Sequence, residues 1–176
     1  EAGFTSVGDL IAQHRQKAAL GEAMRLVGEA NKYVADTQPF KLKGDDPETQ
    51  ARLATVLHTL AQVVTDLNLM LSPFLPHAAN DVDRVLGGSG RIAPMPRIEE
   101  VDELDPDRLP EAFDGRTGYP IITGDYEGAP TWERHPIEVG TPVAKPAPVF
   151  TKLDESIVEA ELARYADSVP DDVTGS

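Results

Sequence analysis

The chain has no cysteine among its 176 residues. That excludes a disulfide framework and any thiolate metal site. Aromatic residues make up only 6%, with a single tryptophan. No apolar run approaches the roughly 18 residues that would span a bilayer, and no signal-peptide pattern opens the chain. A cytoplasmic location is the default expectation. Basic residues are scarce too, with Lys and Arg totalling 16 against 30 Asp and Glu, a net charge of −14. A general nucleic-acid binder would show the opposite balance. The four histidines, His14, His58, His77 and His135, are far apart and form no H-E-x-x-H pair. No metal site is therefore expected; His77 and Asp81 at i, i+4 are too few to make one. G-x-S-x-G and phosphate-binding glycine loops are also missing. Gly87-Gly88-Ser89-Gly90 reads as a linker, since no strand precedes it and no helix N-terminus follows in register.

What is present divides unevenly. Residues 1–88 carry 8 Lys/Arg against 11 Asp/Glu, and residues 89–176 carry 8 against 19. The acidic excess belongs to the second half, while Arg15, Lys17, Arg25, Lys32, Lys41 and Lys43 cluster in the first. An RNA contact, if there is one, belongs among those six, although for any single one of them solvated helix-face charge is the favoured reading. Proline shifts with charge: 4 fall before the Gly87–Gly90 run and 11 after it. This divides the chain into a helical bundle over 1–88, an acidic Pro/Gly-rich extended segment over 89–153, and a C-terminal helix and tail over 154–176. The fold class expected is all-α.

Ser6 reads as the N-cap of a first helix, with Asp9 in its first turn. The polar run His14–Lys17 marks a break. A stronger helix follows over about Ala18–Asp36, with Leu20, Ala23, Met24, Val27, Ala30 or Asn31, and Val34 on one stripe. Pro39 ends it by pushing the preceding residue out of the α region. Asp46-Pro47 opens the next helix as N-cap and N1. Leu53, Val56, Leu57, Leu60, Val63, Val64, Leu67, Met70 and Leu71 then form a broad apolar face about 37 Å long. Ser72-Pro73 stops it, and a short helix over His77–Leu86 turns Val82, Val85 and Leu86 inward, with Gly87 at C′. Tyr119–Thr123 and Ile137–Val139 are strands or extended chain on the bundle surface. The last helix spans about Asp154–Asp167, with Ile157, Val158, Leu162 and Tyr165 on one face. Asp125 and Glu127, and the acidic run from Glu99 to Asp107, read as solvated charge rather than paired catalytic carboxylates.

Ala30-Asn31-Lys32-Tyr33, then Gln38-Pro39-Phe40-Lys41-Leu42, then Leu71-Ser72-Pro73-Phe74-Leu75-Pro76-His77 occur in this order with one long apolar-periodic helix between the last two. This arrangement resembles the anticodon-binding helical domain of methionyl-tRNA synthetases. Lys145-Pro146-Ala147-Pro148-Val149-Phe150-Thr151-Lys152-Leu153 is similar to that family's K-P-x-P-L-F-P-R-I segment. The 118–126 and 153–164 stretches look like the actinobacterial form. Another class I synthetase for a related amino acid shares the L-x-P-F-x-P corner, but not the N-K-Y … P-F-K-L exit. In that corner Pro73 stops one helix, Pro76 starts the next, and Phe74 and Leu75 fill the turn.

The resemblance implies a part of a ligase that methionylates tRNA with ATP and Mg2+. The catalytic domain, in cis or in trans, would lie outside this chain, because the HIGH-type and KMSKS-type signatures are absent. The partner it implies is the anticodon arm of tRNA-Met, with no DNA and no membrane. Neither catalytic nor metal-binding residues are expected here, and no cofactor in this chain.

Phe40 is the first candidate. An aromatic held by Pro39 and flanked by Lys41 and Lys43 suits stacking on an unpaired base; its alternative is to plug the bundle end. The family typically has Trp there, so this chain keeps the π-face and loses the indole N–H. Lys41, Lys43, Lys32 and Arg25 are candidates for phosphates. Asn31 is a candidate RNA contact, although satisfying buried backbone or packing inside the bundle is the favoured role. A stand-alone helical interaction module from a split synthetase gene is the alternative function. The Glu at position 1, and an apolar face too wide for one preceding helix, suggest a segment of something longer that exposes apolar surface when isolated.

Overall fold

The computed structural model describes residues 1–102, 118–127 and 129–168. They fall into two units, Glu1–Pro146 and Ala147–Ser176. The first unit contains helices α1 (Ala2–Ala12), α2 (Gln16–Thr37), α3 (Pro47–Leu71) and α4 (Pro76–Val85). A three-ten turn over Pro39–Lys41 lies between α2 and α3. After α4 come two strands, β1 (Pro96–Asp102) and β2 (Gly118–Gly124). The second unit contains α5 (Glu155–Ser168). The all-α expectation is corrected by the strands: this is a mainly helical chain with a two-stranded antiparallel sheet.

Helix α1 begins one turn earlier than the Ser6 cap implied. Phe4 lies three residues before Val7, and both are buried, so the apolar edge draws residues 2–5 into the helix. Ser6 is therefore interior, and Asp9 is not in the first turn. The Ser6 hydroxyl lies 3.0 Å from Glu22 Oε1, tying α1 to α2. The polar run after α1 is the expected break, with His14 at φ 59°.

Helix α2 keeps Ala23, Val27 and Val34 of the expected stripe at least partly buried, but turns Leu20 and Met24 outward. Ala19 and Ala23 are fully buried, whereas Leu20 is 38% and Met24 53% exposed. Ala19 and Ala23 lie in the core, and the partly buried Leu26 packs against it. The helix ends at Gln38, which adopts the left-handed conformation and donates its N–H to the Val34 carbonyl. Asp46 caps α3 as expected, its Oδ1 accepting from the Thr49 amide at 2.9 Å. This bond holds the Asp46 carboxyl below its usual range.

The core lies where α1, the first half of α2, the last turns of α3 and α4 meet, and Ile92 and Ala93 close it. Two buried asparagines organise that closure. Asn68 donates to the Ala79 carbonyl at 2.9 Å. Asn80 both accepts from the Ala93 amide and donates to its carbonyl, so the chain after α4 is paired as a strand would be. The Gly87–Gly90 run is no free linker: the Gly90 amide is fastened to Asp83 at 2.7 Å, and Gly87 has the positive φ expected at C′. In the corner between α3 and α4, Phe74 packs against the core, but Leu75 is 42% exposed and does not fill it.

Strand β2 contains the β-prone stretch expected at Tyr119–Thr123, and its partner β1 was read only as acidic surface. The part of that acidic run beyond Asp102 lies outside the described residues. Ile137–Val139 takes the other alternative, extended chain on the bundle. The Gln62 side chain serves it as a strand would, accepting from the Ile137 amide at 2.9 Å and donating to the His135 carbonyl at 3.1 Å. In α5, Asp154 accepts from the Ser156 amide at 3.0 Å, and Val158, Leu162 and Tyr165 are exposed.

Candidate nucleic-acid interface

Phe40 owes its position to a chain of local constraints. Pro39 cannot continue α2, Gln38 turns left-handed, and the chain closes into a three-ten turn. The Lys41 amide donates to the Gln38 carbonyl at 2.8 Å, Leu42 to Pro39 at 3.1 Å and Lys43 to Lys41 at 2.9 Å. Leu42 is half-buried while Lys41 and Lys43 on either side are exposed. The ring of Phe40 is on the outside, 62% exposed, and so does not plug the bundle end. The structure thus brings Phe40, Lys41 and Lys43 together on one hydrogen-bonded turn.

Lys32 and Asn31 are exposed on the last two turns of α2. The favoured role of Asn31, packing inside the bundle, is corrected: it lies seven residues beyond Met24, on the same exposed row. Arg25 is not brought to the turn, being about 20 Å down the helix axis. Its guanidinium is engaged by Glu22 at 2.8 and 2.9 Å and approached by Glu29 at 3.9 Å. The Arg25 hydrogen bond, with help from Ser6, holds the Glu22 carboxyl at about 2. Arg25 is thus committed to neighbouring carboxylates before any phosphate arrives.

A feature that the sequence did not show is a strap over residues 130–137 that crosses α1 and α3. The Trp132 indole meets the Phe4 ring edge-on, with centroids 5.8 Å apart, and its N–H donates to the Phe4 carbonyl at 2.8 Å. Gly8 makes room for it, since a Cβ there would lie 2.6 Å from the indole nitrogen. Arg134 reaches the buried Asp66 with two hydrogen bonds, at 2.6 and 2.9 Å, and Gln62 donates to the same carboxylate at 2.8 Å. Asp66 raises the Arg134 pKa above its ordinary value. A carboxylate inside an apolar stripe was a signal that a cation must come to it. Which cation, from 68 residues away, no local pattern could say.

Among the described residues no group of three potential metal-ligating side chains converges. No described helix is long and apolar enough to cross a membrane.

No family model and no solved structure matches the chain. Curated proteins do. The chain is 64% identical over 163 residues to a methionine–tRNA ligase of Nocardioides sp., covering 93% of this chain and 25% of that protein. It is 54% identical over 166 residues to the methionine–tRNA ligase of Beutenbergia cavernae, with the same two shares. It is 50% identical over 165 residues to that of Salinispora arenicola, covering 94% of this chain and 26% of the relative. The chain thus spans about a quarter of the length of the relatives it matches. Over nearly all of its own length it is a homologue of actinobacterial methionine–tRNA ligases.

Proposed function

We propose that this chain is the C-terminal, anticodon-arm-binding part of a cytoplasmic methionine–tRNA ligase. The observation that carries the proposal is the exposed phenyl ring of Phe40, held on a hydrogen-bonded turn between Lys41 and Lys43. A planar ring presented to solvent beside cations suits one unpaired base and its phosphates. Lys32, exposed near the end of α2, extends the phosphate contact, and Asn31 offers an amide beside it. Arg25 contributes least, since its charge is already matched by Glu22. ATP and Mg2+ would act in the catalytic portion, and this part would hold the tRNA so that its acceptor end reaches that portion.

The test is binding of a stem-loop with a CAU anticodon, against the same stem-loop with its first anticodon base changed. Tighter binding to CAU is expected, and Phe40→Ala should weaken it about 5- to 150-fold, the equivalent of roughly 1–3 kcal/mol of stacking. Replacing Lys32, Lys41 and Lys43 by Gln should flatten the salt dependence by about 2 in log–log slope, near 0.7 per single-strand phosphate. Equal, weak binding to both loops would overturn anticodon recognition by this part. Absence of RNA binding would favour a protein-interaction module instead.

A further inference from the structure

The β1–β2 ribbon presents one bare apolar face. Ile98 pairs with Ile122 across the ribbon, and the two are 77% and 80% exposed. Directly paired residues point to one face, so these side chains form a single bare apolar patch. A two-stranded ribbon gains too little from its own pairing to be stable in water without a surface to rest on. Its root is nevertheless fixed. Arg91 and Arg97 both reach Asp125 Oδ2, at 2.6 and 2.7 Å, and the Asp125 amide donates to the Met95 carbonyl at 3.2 Å. A rigid root beneath an uncovered apolar face describes an arm rather than a frayed loop.

Charge selects its occupant. Within the two strands Arg97 is outnumbered by Glu99, Glu100 and Asp102, and β2 carries no charge. Glu100 lies on the same face as Ile98. RNA phosphates would be repelled. A second copy paired strand to strand would set these carboxylates close to their own counterparts. What fits is a protein surface that is apolar at its centre and basic at its rim. Resting on the proposal that the chain is part of a methionine–tRNA ligase, we infer that the ribbon docks through Ile98 and Ile122 on such a surface. That surface lies in the three quarters of the enzyme outside this chain.

Amide hydrogen exchange tests this. It would be followed on the 176-residue chain, and on a full-length ligase in which this chain replaces the matching quarter of the Nocardioides enzyme. Amides of 96–102 and 118–124 should exchange about tenfold more slowly in the full-length protein. Ile98→Ser with Ile122→Ser should abolish that difference, and Glu100→Lys, which leaves the apolar pair intact, should reduce it. Equal exchange in the two proteins would overturn the inference. So would protection of the isolated chain that rises with its concentration, which would mean a second copy, or protection that appears only with tRNA. Stem-loop binding measured alongside separates the two proposals. The ribbon variants should leave it unchanged, and its failure in the unaltered chain would strike the anticodon proposal alone.

Discussion

Phe40 holds an apolar ring in water at a position where a polar side chain would be better solvated, on a hydrogen-bonded turn. Two consequences follow at this scale. Phe40→Trp enlarges the π-face and restores an indole donor, so CAU stem-loop binding should tighten about threefold, measured by fluorescence titration. The second concerns Glu22, whose carboxyl is held at about 2, against an ordinary 4.5, by Arg25 and then Ser6. A depressed carboxylate stabilises the fold fully above its unfolded value and loses that contribution as pH falls through the folded one. Acid unfolding should therefore separate the unaltered chain from Arg25→Gln above pH 4.5, and the two stability curves should converge toward pH 2. A gap that persists at pH 2 would show that Arg25 acts by packing rather than through Glu22.

At the scale of elements, the strap over 130–137 ties α1 to α3 through Trp132 and Arg134. Asp66 is buried, and Arg134, 40% exposed, is its charge partner. Asp66→Ala removes the anchor and leaves that cation unpaired, which should cost about 2–3 kcal/mol, the lower end for breaking a buried pair because Arg134 is partly solvated. Trp132 is the single tryptophan and reports the outcome. Its emission should shift to the red in mild urea while far-ultraviolet dichroism stays helical, because the strap leaves before the helices melt. Coincident loss of both signals would mean that strap and bundle are one cooperative unit.

For the molecule as a whole, the apolar surface left bare is the dominant property. Leu20 and Met24 on α2, and Leu57 and Val64 on α3, are all more than a third exposed. The chain by itself should self-associate through these faces. Sedimentation should give a mass that grows with concentration, and Met24→Lys with Leu57→Lys should return it toward the monomer's 19.0 kDa. A concentration-independent monomer would sink that expectation.

Much of this protein was legible in one dimension. Helix ends were, except the start of α1 that Ser6 misplaced, because proline geometry, the Asp46 cap and the His14 break act over four residues or fewer. The turn carrying Phe40, Lys41 and Lys43 was legible for the same reason: Pro39 dictates it locally. Tertiary structure alone decided three other things. It turned Leu20 and Met24 out of the expected stripe of α2 and brought Ala19 into the core, since close packing depends on a neighbour's shape. It paired β1 with β2, because a strand partner is specified by meeting and not by its own letters. It brought Arg134 to Asp66 and Trp132 to Phe4 across separations of 68 and 128 residues. The sequence by itself determined what is enforced by bonded neighbours; what depends on which distant surfaces fit together only the folded chain could decide.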